Sequence, residues 1–505
     1  APCWRAGLDG ARAVNDDVAH DISDIRRANW SRLLYPRSIA LVGASDSGIS
    51  SGHVFHNLRE CGYAGDIVPI NPRNKMVFGL PSFASLGEAP RVDAALMLVS
   101  RERVEDSVNQ AIAAGVGGMI SVAGGFRESM DPQWIAVERR ISQAAREAEI
   151  PLLGPNCLGL MALPLRAMMT IAPYPWKLET GSVALIMQSG GQLLASVRYV
   201  NYLGGGVRWG FSLGNAANVS FAEVLVVLAE DADVRECVLL MEEVPNWSQF
   251  RGAVQKAQRA GKWIGALVIG RTPVGQRAAQ THTGALTLNH DVLASGLAQI
   301  GICVAETLGA LLAAAVLHAR FGPPKPGGVA VASVSGGGGG LAGDLAHSRG
   351  VQLASLAPAT KSDIEKINPD IRADNPLDVV NGPMDRPRFR AVFERYLCDP
   401  DVSIGLYLPS QGIPDGHSPN HLEVLENVAD VAAAGDTPVV ITSIVFAPIP
   451  EAHREHFLAK RNLCLMPSIE ESMEALRLWL ARPLELANGG GKAQEPPEAT
   501  LKPAQ

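Results

Sequence analysis

Short apolar runs alternate with longer amphipathic stretches from residue 28 to about residue 165. The apolar runs predict strands, and the stretches between them, with apolar residues at helical spacing, predict helices. The strands are expected at 39–42, 66–71, 92–99, 119–122 and 151–153, and the helices at 53–60, 102–114 and 134–147. Repeated strand–helix units of this kind form a parallel sheet with helices on both faces. This part of the chain therefore predicts a doubly wound, Rossmann-like domain.

Two further α/β units follow, and their sequences correspond. Eleven residues from Gly181 (GSVALIMQSGG) align without a gap on eleven from Gly327 (GGVAVASVSGG), and 302–307 resemble 463–468. A glycine- and proline-rich linker follows Phe321. We expect two copies of a flavodoxin-like domain, at 166–320 and 321–485. The flanking 1–27 is expected to be an N-terminal extension, and the Gly-, Pro- and Glu-rich 486–505 a disordered tail.

Composition and charge narrow the classes of function. The chain has 505 residues, 47% of them hydrophobic and 5% aromatic, a formal net charge of -7 and no run of lysine or arginine. A chain of this length is expected to form about three domains. We expect neither a nucleic-acid nor an anionic-membrane partner, because both require clustered positive charge. No apolar run reaches the roughly 20 residues needed to cross a bilayer.

The seven cysteines are dispersed, without a C-x-x-C pair. Such a set indicates reduced thiols in place of a disulfide or zinc framework. The first 27 residues include Asp16, Asp17, Asp21 and Asp24, and such acidic residues are atypical of a signal peptide. We therefore expect a cytoplasmic protein.

A glycine-rich turn follows the first predicted strand, and its candidate ligand-binding residues are Gly43, Ala44, Ser45 and Gly52. Backbone amides at such a strand-to-helix turn can bind a phosphate. The alternative is a nicotinamide dinucleotide site. Its G-x-G-x-x-G spacing is absent, however, and the second strand ends in Asn-Pro-Arg73 where those sites place an acidic residue. Arg73 better suits a phosphate, although a glycine turn alone is about as often structural.

Two other turns lie at predicted strand ends. Asn156 and Cys157 fall in a Gly-Pro-Asn-Cys turn at an edge where ligands of such sheets bind, but an ordinary Pro-Asn turn explains the sequence equally. Gln188, Ser189 and Gly190 join a buried strand to a helix, and amides there could hold a phosphoryl group. The third-domain copy, 335–340, could do the same or be only a permissive loop.

His282 is the candidate nucleophile. It lies between two threonines in a segment that we expect to be a polar loop, after the strand 264–269 and before a helix near Asp291. Neutral imidazole can accept and transfer a phosphoryl group near pH 7. Glu242, at the end of the strand 238–241, could hold the second ring nitrogen. A solvated strand end is the alternative for Glu242 and for its neighbour Glu243, and His290 at a helix start is interpreted as incidental.

The ordered set of motifs resembles the NDP-forming acyl-CoA synthetases, relatives of succinyl-CoA synthetase. The resemblance runs from about Leu33 to Leu480. It depends on the order of the motifs more than on any one of them. The motifs are ALVGAS (40–45), PINPR (69–73), GPNC (154–157), QSG (188–190), GN (214–215), AAQTHTGAL (278–286) and NPLD (375–378).

This resemblance implies that 28–165 bind CoA, that His282 is phosphorylated during turnover, and that Glu242 supports it. It implies that Gln188, Ser189 and Gly190 hold phosphate. A separate ATP-grasp β-type subunit is then expected to bind ATP and Mg²⁺ in a hetero-oligomer, with a small carboxylic acid as substrate. Thr287-Leu-Asn289 and Glu243 depart from the family pattern, so the acid is left open. A Rossmann oxidoreductase and a non-catalytic CoA-binding protein are the alternatives, and the presence of His282 and Glu242 disfavours the second.

Overall fold

The computed structural model describes residues 22–173, 178–283, 290–379, 385–409 and 419–481. Most of the expected N-terminal extension and the whole expected tail at 486–505 lie outside these ranges. Within them, no helix combines the length and the apolar character that crossing a membrane requires.

The first domain begins with a helix and continues as alternating strands and helices. Its elements are α1 (Asp24–Leu34), β1 (Ser38–Val42), α2 (Ile49–Glu60), β2 (Asp66–Ile70), β3 (Met76–Val77), β4 (Leu80–Pro81), β5 (Ala94–Met97), α3 (Arg101–Ala113), β6 (Gly118–Ser121), α4 (Pro132–Glu147) and β7 (Leu152–Leu153). A 3-10 turn, Arg127–Ser129, lies between β6 and α4. Strands β1, β2, β5, β6 and β7 and helices α2 to α4 agree with the elements expected from the apolar pattern, whereas α1, β3 and β4 were not predicted.

The first sheet is parallel, with the order β2-β1-β5-β6-β7. Its central strands are buried along their whole length, as expected where helices cover both faces. Strands β2 and β5 lie on opposite sides of β1, so the direction of the strand order reverses at β1. In open α/β sheets, ligands bind beyond the carboxyl ends of the strands at such a reversal. The Gly43 turn, which follows β1, therefore lies at the edge where a ligand is expected.

The second domain has a seven-stranded sheet with the order β14-β13-β12-β10-β11-β8-β9. Its elements are β8 (Gly159–Ala162), β9 (Ala167–Thr170), β10 (Thr180–Met187), α5 (Gly190–Tyr202), β11 (Val207–Ser212), α6 (Phe221–Ala229), β12 (Glu236–Met241), α7 (Trp247–Arg259), β13 (Trp263–Val268), α8 (Pro273–Thr283), α9 (His290–Gln299), β14 (Cys303–Val304) and α10 (Leu308–Phe321). Strands β10 to β14 are parallel, while β8 and β9 join one edge as antiparallel strands.

The third domain has a five-stranded parallel sheet with the order β16-β15-β17-β18-β19. Its elements are β15 (Gly328–Ser333), α11 (Gly336–Arg349), α12 (Pro358–Ile367), β16 (Leu377–Asp378), α13 (Arg386–Leu397), β17 (Val402–Leu408), α14 (Pro419–Ala434), β18 (Val439–Thr442), α15 (Glu451–Leu458), β19 (Leu463–Met466) and α16 (Ile469–Leu480).

The parallel strands of the second and third domains have the same order. Numbered within each domain, β10 to β14 and β15 to β19 both read 2-1-3-4-5, the flavodoxin-like arrangement. The aligned segments from Gly181 and Gly327 contain β10 and β15, the first strand of each copy. The fold therefore supports the duplication expected from the sequence.

Two features of the structure lie near expected domain boundaries. The first domain is expected to end near residue 165. Strand β8 pairs with β11 of the second sheet, so the change of sheet falls between Leu153 and Gly159. We also expect an extension up to residue 27, but α1 begins at Asp24, where the Ser23 hydroxyl accepts a hydrogen bond from the amide of Arg26. Apolar periodicity predicts where strands and helices lie, but it does not predict which sheet an added antiparallel strand joins.

Helix α10 joins the two flavodoxin-like domains. Its residues 310–317 are all buried, and it packs against α16 of the third domain as well as α5 of the second. A helix that is apolar on every side is one that is enclosed by protein. The two copies consequently share one hydrophobic core, which includes Trp479 of α16.

A buried ion pair joins α1 to the second domain. Arg26 donates from Nε to Oε1 of Glu223 at 2.5 Å and from Nη2 to Oε2 at 3.0 Å. Trp30 donates from Nε1 to the same Glu223 Oε1 at 2.6 Å. Both charged side chains are about nine-tenths buried. Removing one partner of such a pair leaves the other charge without compensation in a poorly solvated environment.

We therefore expect Glu223→Gln to lower the free energy of unfolding by about 3–5 kcal/mol. Urea unfolding followed by circular dichroism measures the change. Glu105→Gln is the matched control, since Glu105 pairs with Arg140 on the surface and such a pair contributes less than about 1 kcal/mol. Equal shifts for the two variants would contradict the structural role of the buried pair.

Candidate functional site

The turn after β1 requires glycine at position 43. Gly43 has φ +87°, and its amide donates to the carbonyl of Ile70 on β2 at 2.9 Å. A Cβ atom at this position would lie 2.8 Å from Val99 Cγ1 and 3.0 Å from the carbonyl of Leu98. The turn can therefore lie against β2 and β5 only with glycine at this position.

The same turn leads into the N-terminus of α2. The Ser51 hydroxyl donates to the carbonyl of Ser45 at 2.8 Å and accepts from the Ser45 amide at 3.2 Å, which closes the turn on itself. Gly48 precedes α2, and in the described part of the chain no side chain caps this helix. Nothing lies within 4 Å of a Cβ built at Gly52. Amides of a first helical turn that lack a side-chain cap can bind an anion.

Asn71 holds the end of β2 against this turn. Its Nδ2 donates to the carbonyl of Ala44 at 2.7 Å, and its Oδ1 accepts from the amide of Arg73 at 2.8 Å. Arg73 is exposed. The structure therefore brings Arg73 to the same edge as the Gly43 turn, the arrangement that we expect for a phosphate site.

Asn156 and Cys157 lie beyond β7 and have different environments. Asn156 has φ +60°, and its amide donates to the carbonyl of Ala123 at 2.8 Å. The thiol of Cys157 donates to the carbonyl of Ser121 at 3.3 Å and is 5% exposed. Burial raises the pKa of the Cys157 thiol to about 12. The Cys157 side chain is part of the sheet packing, so only its backbone remains a candidate for binding CoA.

Gln188 connects the carboxyl ends of three strands in the second domain. Its side-chain Oε1 accepts from the amide of Glu242, which follows β12, at 2.5 Å. Its carbonyl accepts from the amide of Gly214, which follows β11, at 3.2 Å. Gln188 itself follows β10 and is buried. The order of strands reverses at β10, so Gln188 lies where a ligand of this sheet is expected.

Ser189 and Gly190 form the start of α5 beside Gln188. Among the described residues, no side chain caps this helix. A Cβ at Gly190 would lie 2.6 Å from the Cβ of Leu158, whereas a Cβ at Gly191 would meet nothing within 4 Å. The helix start therefore packs against the Leu158 segment on one side and is open at Gly191. Its geometry is consistent with the predicted role in holding a phosphoryl group.

Glu242 is buried at the end of β12, with 4% of its surface exposed. This burial excludes the alternative interpretation of Glu242 as a solvated strand end. Its neighbour Glu243 accepts from Nη2 of Arg127, in the 3-10 turn of the first domain, at 3.2 Å. The same Nη2 donates to the carbonyl of Asn215 at 2.7 Å.

Asn215 is the centre of a group of polar residues, of which sequence reasoning assigned only Asn156 to the site. Its Nδ2 donates to Glu128 Oε2 and to Glu138 Oε2, both at 2.7 Å, and its Oδ1 accepts from Asn156 at 3.3 Å. Burial raises the pKa of the Glu138 carboxyl. The Gly-Asn motif at 214–215 was a signal for Asn215. Only the fold brings Arg127 and Glu243 into contact, since 116 positions separate them.

His282 lies in α8, so our expectation of a polar loop is wrong for its backbone. Pro273 begins the helix, the Thr272 hydroxyl accepts from the amide of Gly275 at 3.1 Å, and the residues 276–280 favour helix. These signals extend the helix through Thr283, in spite of the threonines that we interpreted as loop residues. The His282 side chain lies outside the described residues, so its approach to Glu242 stays a prediction. His290 begins α9, as expected.

A cleft of about 760 Å³ lies between the second and third domains near β14. Three arginines line it, and each has a carboxylate partner. Arg349 lies 3.3 Å from Glu306, and Arg477 lies 2.7 Å from Glu474. Arg271 lies 4.0 Å from Glu306. Because the positive charges are compensated, this cleft is a weaker candidate for an anionic substrate than the glycine turns.

Comparison with known proteins agrees with the fold. Residues 37–162 match the CoA binding domain model, and 180–318 match the model of the succinyl-CoA ligase like flavodoxin domain. These matches define a protein of the CoA-ligase class. The expected fold class, a CoA-binding Rossmann-like domain followed by succinyl-CoA synthetase-like domains, is confirmed.

Named relatives identify the family within that class. The chain is 30% identical over 375 residues to acetate–CoA ligase (ADP-forming) II subunit alpha of Pyrococcus furiosus, an alignment that covers 73% of this chain and 80% of that subunit. It is 29% identical over 384 residues to 4-hydroxybutyrate–CoA ligase (ADP-forming) of Nitrosopumilus maritimus, which covers 75% of this chain and 55% of that enzyme. The chain belongs to the ADP-forming acyl-CoA ligase family.

A solved structure with the same fold is acetyl-coenzyme A synthetase 1 of Ca. Korarchaeum cryptofilum, in complex with phosphate and ADP. The TM-score is 0.77 at 25% identity, with 89% of this chain and 96% of that chain covered. The chain thus spans nearly all of this structure but just over half of the 4-hydroxybutyrate enzyme.

We expect Arg73→Gln to weaken the binding of CoA by roughly threefold to tenfold, because it removes one exposed charge that can pair with a phosphate. Isothermal titration of the chain with CoA measures the effect. Arg91→Gln is the control, since Arg91 is exposed and lines a separate cleft at the opposite, amino edge of the first sheet. Equal losses in both variants, or tight binding of NADH with none of CoA, would contradict the site.

Proposed function

We propose that the chain is the α-type subunit of an ADP-forming acyl-CoA synthetase. The reaction is the formation of acyl-CoA from a carboxylic acid, CoA and ATP, with release of ADP and phosphate. The observation that carries the proposal is the anchoring of Glu242 by Gln188 beside an uncapped helix start, within the domain that matches the succinyl-CoA ligase like model. A buried carboxylate next to amides that can hold an anion suits a transient phosphohistidine.

The proposed chemistry has three steps. A ring nitrogen of His282 attacks the γ-phosphorus of ATP, and ADP leaves. A carboxylate oxygen of the substrate then attacks the phosphorus of phosphohistidine, which forms an acyl phosphate and returns neutral His282. The thiolate of CoA attacks the acyl carbon, and the carbon–oxygen bond to phosphate breaks. Splitting one difficult transfer into such steps is the advantage of a covalent intermediate.

Within this proposal the chain mainly positions groups and compensates charge. Glu242 would hold the ring nitrogen that does not carry the phosphoryl group, and so favour the charged imidazole ring of phosphohistidine. The amides of Ser189 and Gly190 would face the phosphoryl oxygens. The Gly43 turn and Arg73 would bind phosphate groups of CoA. Phosphoryl transfer depends largely on positioning and charge compensation of this kind.

The proposed partner is an ATP-grasp subunit that supplies ATP and its Mg²⁺. The relative of which this chain covers 80% bears the name of an alpha subunit, which supports a hetero-oligomer. No Walker-type G-x-x-x-x-G-K-[ST] sequence occurs in the chain. In the described ranges, no group of three or more His, Cys, Asp or Glu side chains is placed to hold a metal ion.

The proposed substrate is a small carboxylic acid whose identity is left open. The names of the relatives specify different acids, acetate and 4-hydroxybutyrate among them. Thr287-Leu-Asn289, which depart from the family pattern, lie outside the described residues. A screen of carboxylic acids for CoA-dependent release of ADP, with the partner present, identifies the acid.

We expect His282→Asn to abolish the phosphorylation of the chain, because asparagine has no ring nitrogen to accept the phosphoryl group. Glu242→Gln should slow phosphorylation by roughly tenfold to a hundredfold, because it removes a charge-assisted hydrogen bond. Such a bond contributes about 1.5–3 kcal/mol. The chain and its partner are incubated with γ-³²P-labelled ATP, and the acid-labile label is mapped by mass spectrometry.

His290→Asn is the control for this experiment, since His290 lies at the start of the next helix. It should be labelled at the rate of the unmodified chain. Label retained in His282→Asn would contradict the assignment of the nucleophile. Label on His290 would support the class of enzyme but refute the site.

We also expect the chain alone to take no label from ATP and to make no acyl-CoA from it. The measurement repeats the labelling without the partner, followed by addition of the partner to the same sample. Label should appear only after the addition. Rapid labelling of the isolated chain would refute the proposal that a separate partner subunit supplies ATP.

A further inference from the structure

We infer that Arg127 and Glu243 form an interdomain pair that positions the end of β12, and with it Glu242, relative to the CoA-binding domain. This inference rests on the proposed function and concerns two residues to which neither the family pattern nor the chemistry above gives a role.

The pair joins two domains at the edge where both are expected to bind substrates. Arg127 lies in the 3-10 turn that follows β6 of the first sheet, and Glu243 is the second residue after β12 of the second. Nη2 of Arg127 donates both to Glu243 Oε1 and to the carbonyl of Asn215, which follows β11. One guanidinium therefore holds the carboxyl ends of two strands of the second sheet.

The pair is partly buried and belongs to a larger group of contacts. The Arg127 side chain is 27% exposed and that of Glu243 is 16% exposed. The amide of Arg127 donates to Glu138 Oε2 at 3.2 Å, and Glu138 is in turn bonded to Asn215. Charge pairs that are partly desolvated constrain geometry more than exposed pairs do. The 3-10 turn is thereby fixed both to its own domain and to the second.

The same turn also contacts α8, the helix that carries His282 in its last turn. The first domain thus contacts both elements that the proposed mechanism requires, the helix with the nucleophile and the strand end with its supporting carboxylate. A displacement of about 1 Å in a reacting group can slow a reaction by roughly a hundredfold. A contact that prevents the two domains from sliding past each other at this edge would consequently matter for phosphoryl transfer.

The test uses the complex of the chain with its ATP-grasp partner and γ-³²P-labelled ATP. We expect Arg127→Gln and Glu243→Gln each to slow the labelling of His282 by roughly tenfold. The double variant should be about as slow as either single variant, because both remove the same contact. Arg127→Lys should recover part of the rate, since lysine restores the charge without the planar guanidinium. The dissociation constant of CoA should change less than about twofold in each variant, because the pair lies outside the proposed CoA contacts.

The control pair is Arg140 and Glu105, which lie in the same domain and are bonded to each other on its surface. Arg140→Gln and Glu105→Gln should leave the labelling rate unchanged. A second readout does not depend on catalysis. Hydrogen exchange at the amides of residues 241–244 should be faster in Arg127→Gln and in Glu243→Gln than in the unmodified chain.

The outcomes separate this inference from the proposed function. Unchanged labelling and exchange in both variants, or slowing that simply adds in the double variant, would overturn the positioning role. If the unmodified complex takes no label, the proposed function fails, and the exchange data still decide whether the pair holds the end of β12. If Arg127→Gln unfolds, as judged by its melting temperature, Glu243→Gln decides the matter, because it keeps the shape of the side chain and removes only its charge.

Discussion

The candidate site depends on one buried side-chain amide, that of Gln188. In a parallel sheet the carboxyl ends of neighbouring strands lie side by side, but the loops that follow them diverge. Gln188 prevents this divergence, because its side chain accepts from the amide of Glu242 while its backbone carbonyl accepts from Gly214. The loops after β10, β11 and β12 are therefore held together where the order of strands reverses. Glu242, the start of α5 and the Asn215 segment are neighbours for this reason.

The second constraint is the fixed relation of the first domain to the second. Charge pairs connect them at two places, the buried pair of Arg26 and Glu223 at α1 and the partly buried pair of Arg127 and Glu243 beside the candidate site. Paired buried charges are sensitive to geometry, because a partner that moves away leaves a poorly solvated ion behind. The proposed reaction ends with CoA, bound to the first domain, attacking an acyl group formed at the second. A rigid relation between the two carboxyl edges suits that requirement.

The sequence predicted the regular parts of this architecture well. Strands β1, β2, β5, β6 and β7 follow from apolar periodicity, whereas the short β3 and β4 were not predicted. The duplication of the second and third domains follows from the matched segments at Gly181 and Gly327. The pairing of β8 and β9 with the second sheet was not predicted, because apolar periodicity does not specify which sheet an added antiparallel strand joins. The helical placement of His282 was missed, because its threonine and glycine neighbours outweighed the helix-forming residues before it.

The contacts between distant residues could not be predicted. Arg127 follows a glycine-rich turn and Glu243 follows a strand, and neither local sequence indicates a partner in another domain. The role of Cys157 was also ambiguous in sequence. A cysteine in a ligand-edge turn can face a ligand or the core, and the hydrogen bond to Ser121 shows that its thiol faces the core. Burial decides such cases, and burial is a property of the folded chain.

The most direct test of the central claim is a single-turnover experiment on the isolated phosphorylated chain. The chain is first phosphorylated through its partner, and the partner and all nucleotide are then removed. The carboxylic acid found by the screen, with both carboxylate oxygens labelled with ¹⁸O, is added together with CoA. The account predicts one acyl-CoA for each phosphoryl group lost, with one ¹⁸O atom in the phosphate released. Acyl-CoA that forms only when ATP is restored, or phosphate without ¹⁸O, would contradict it.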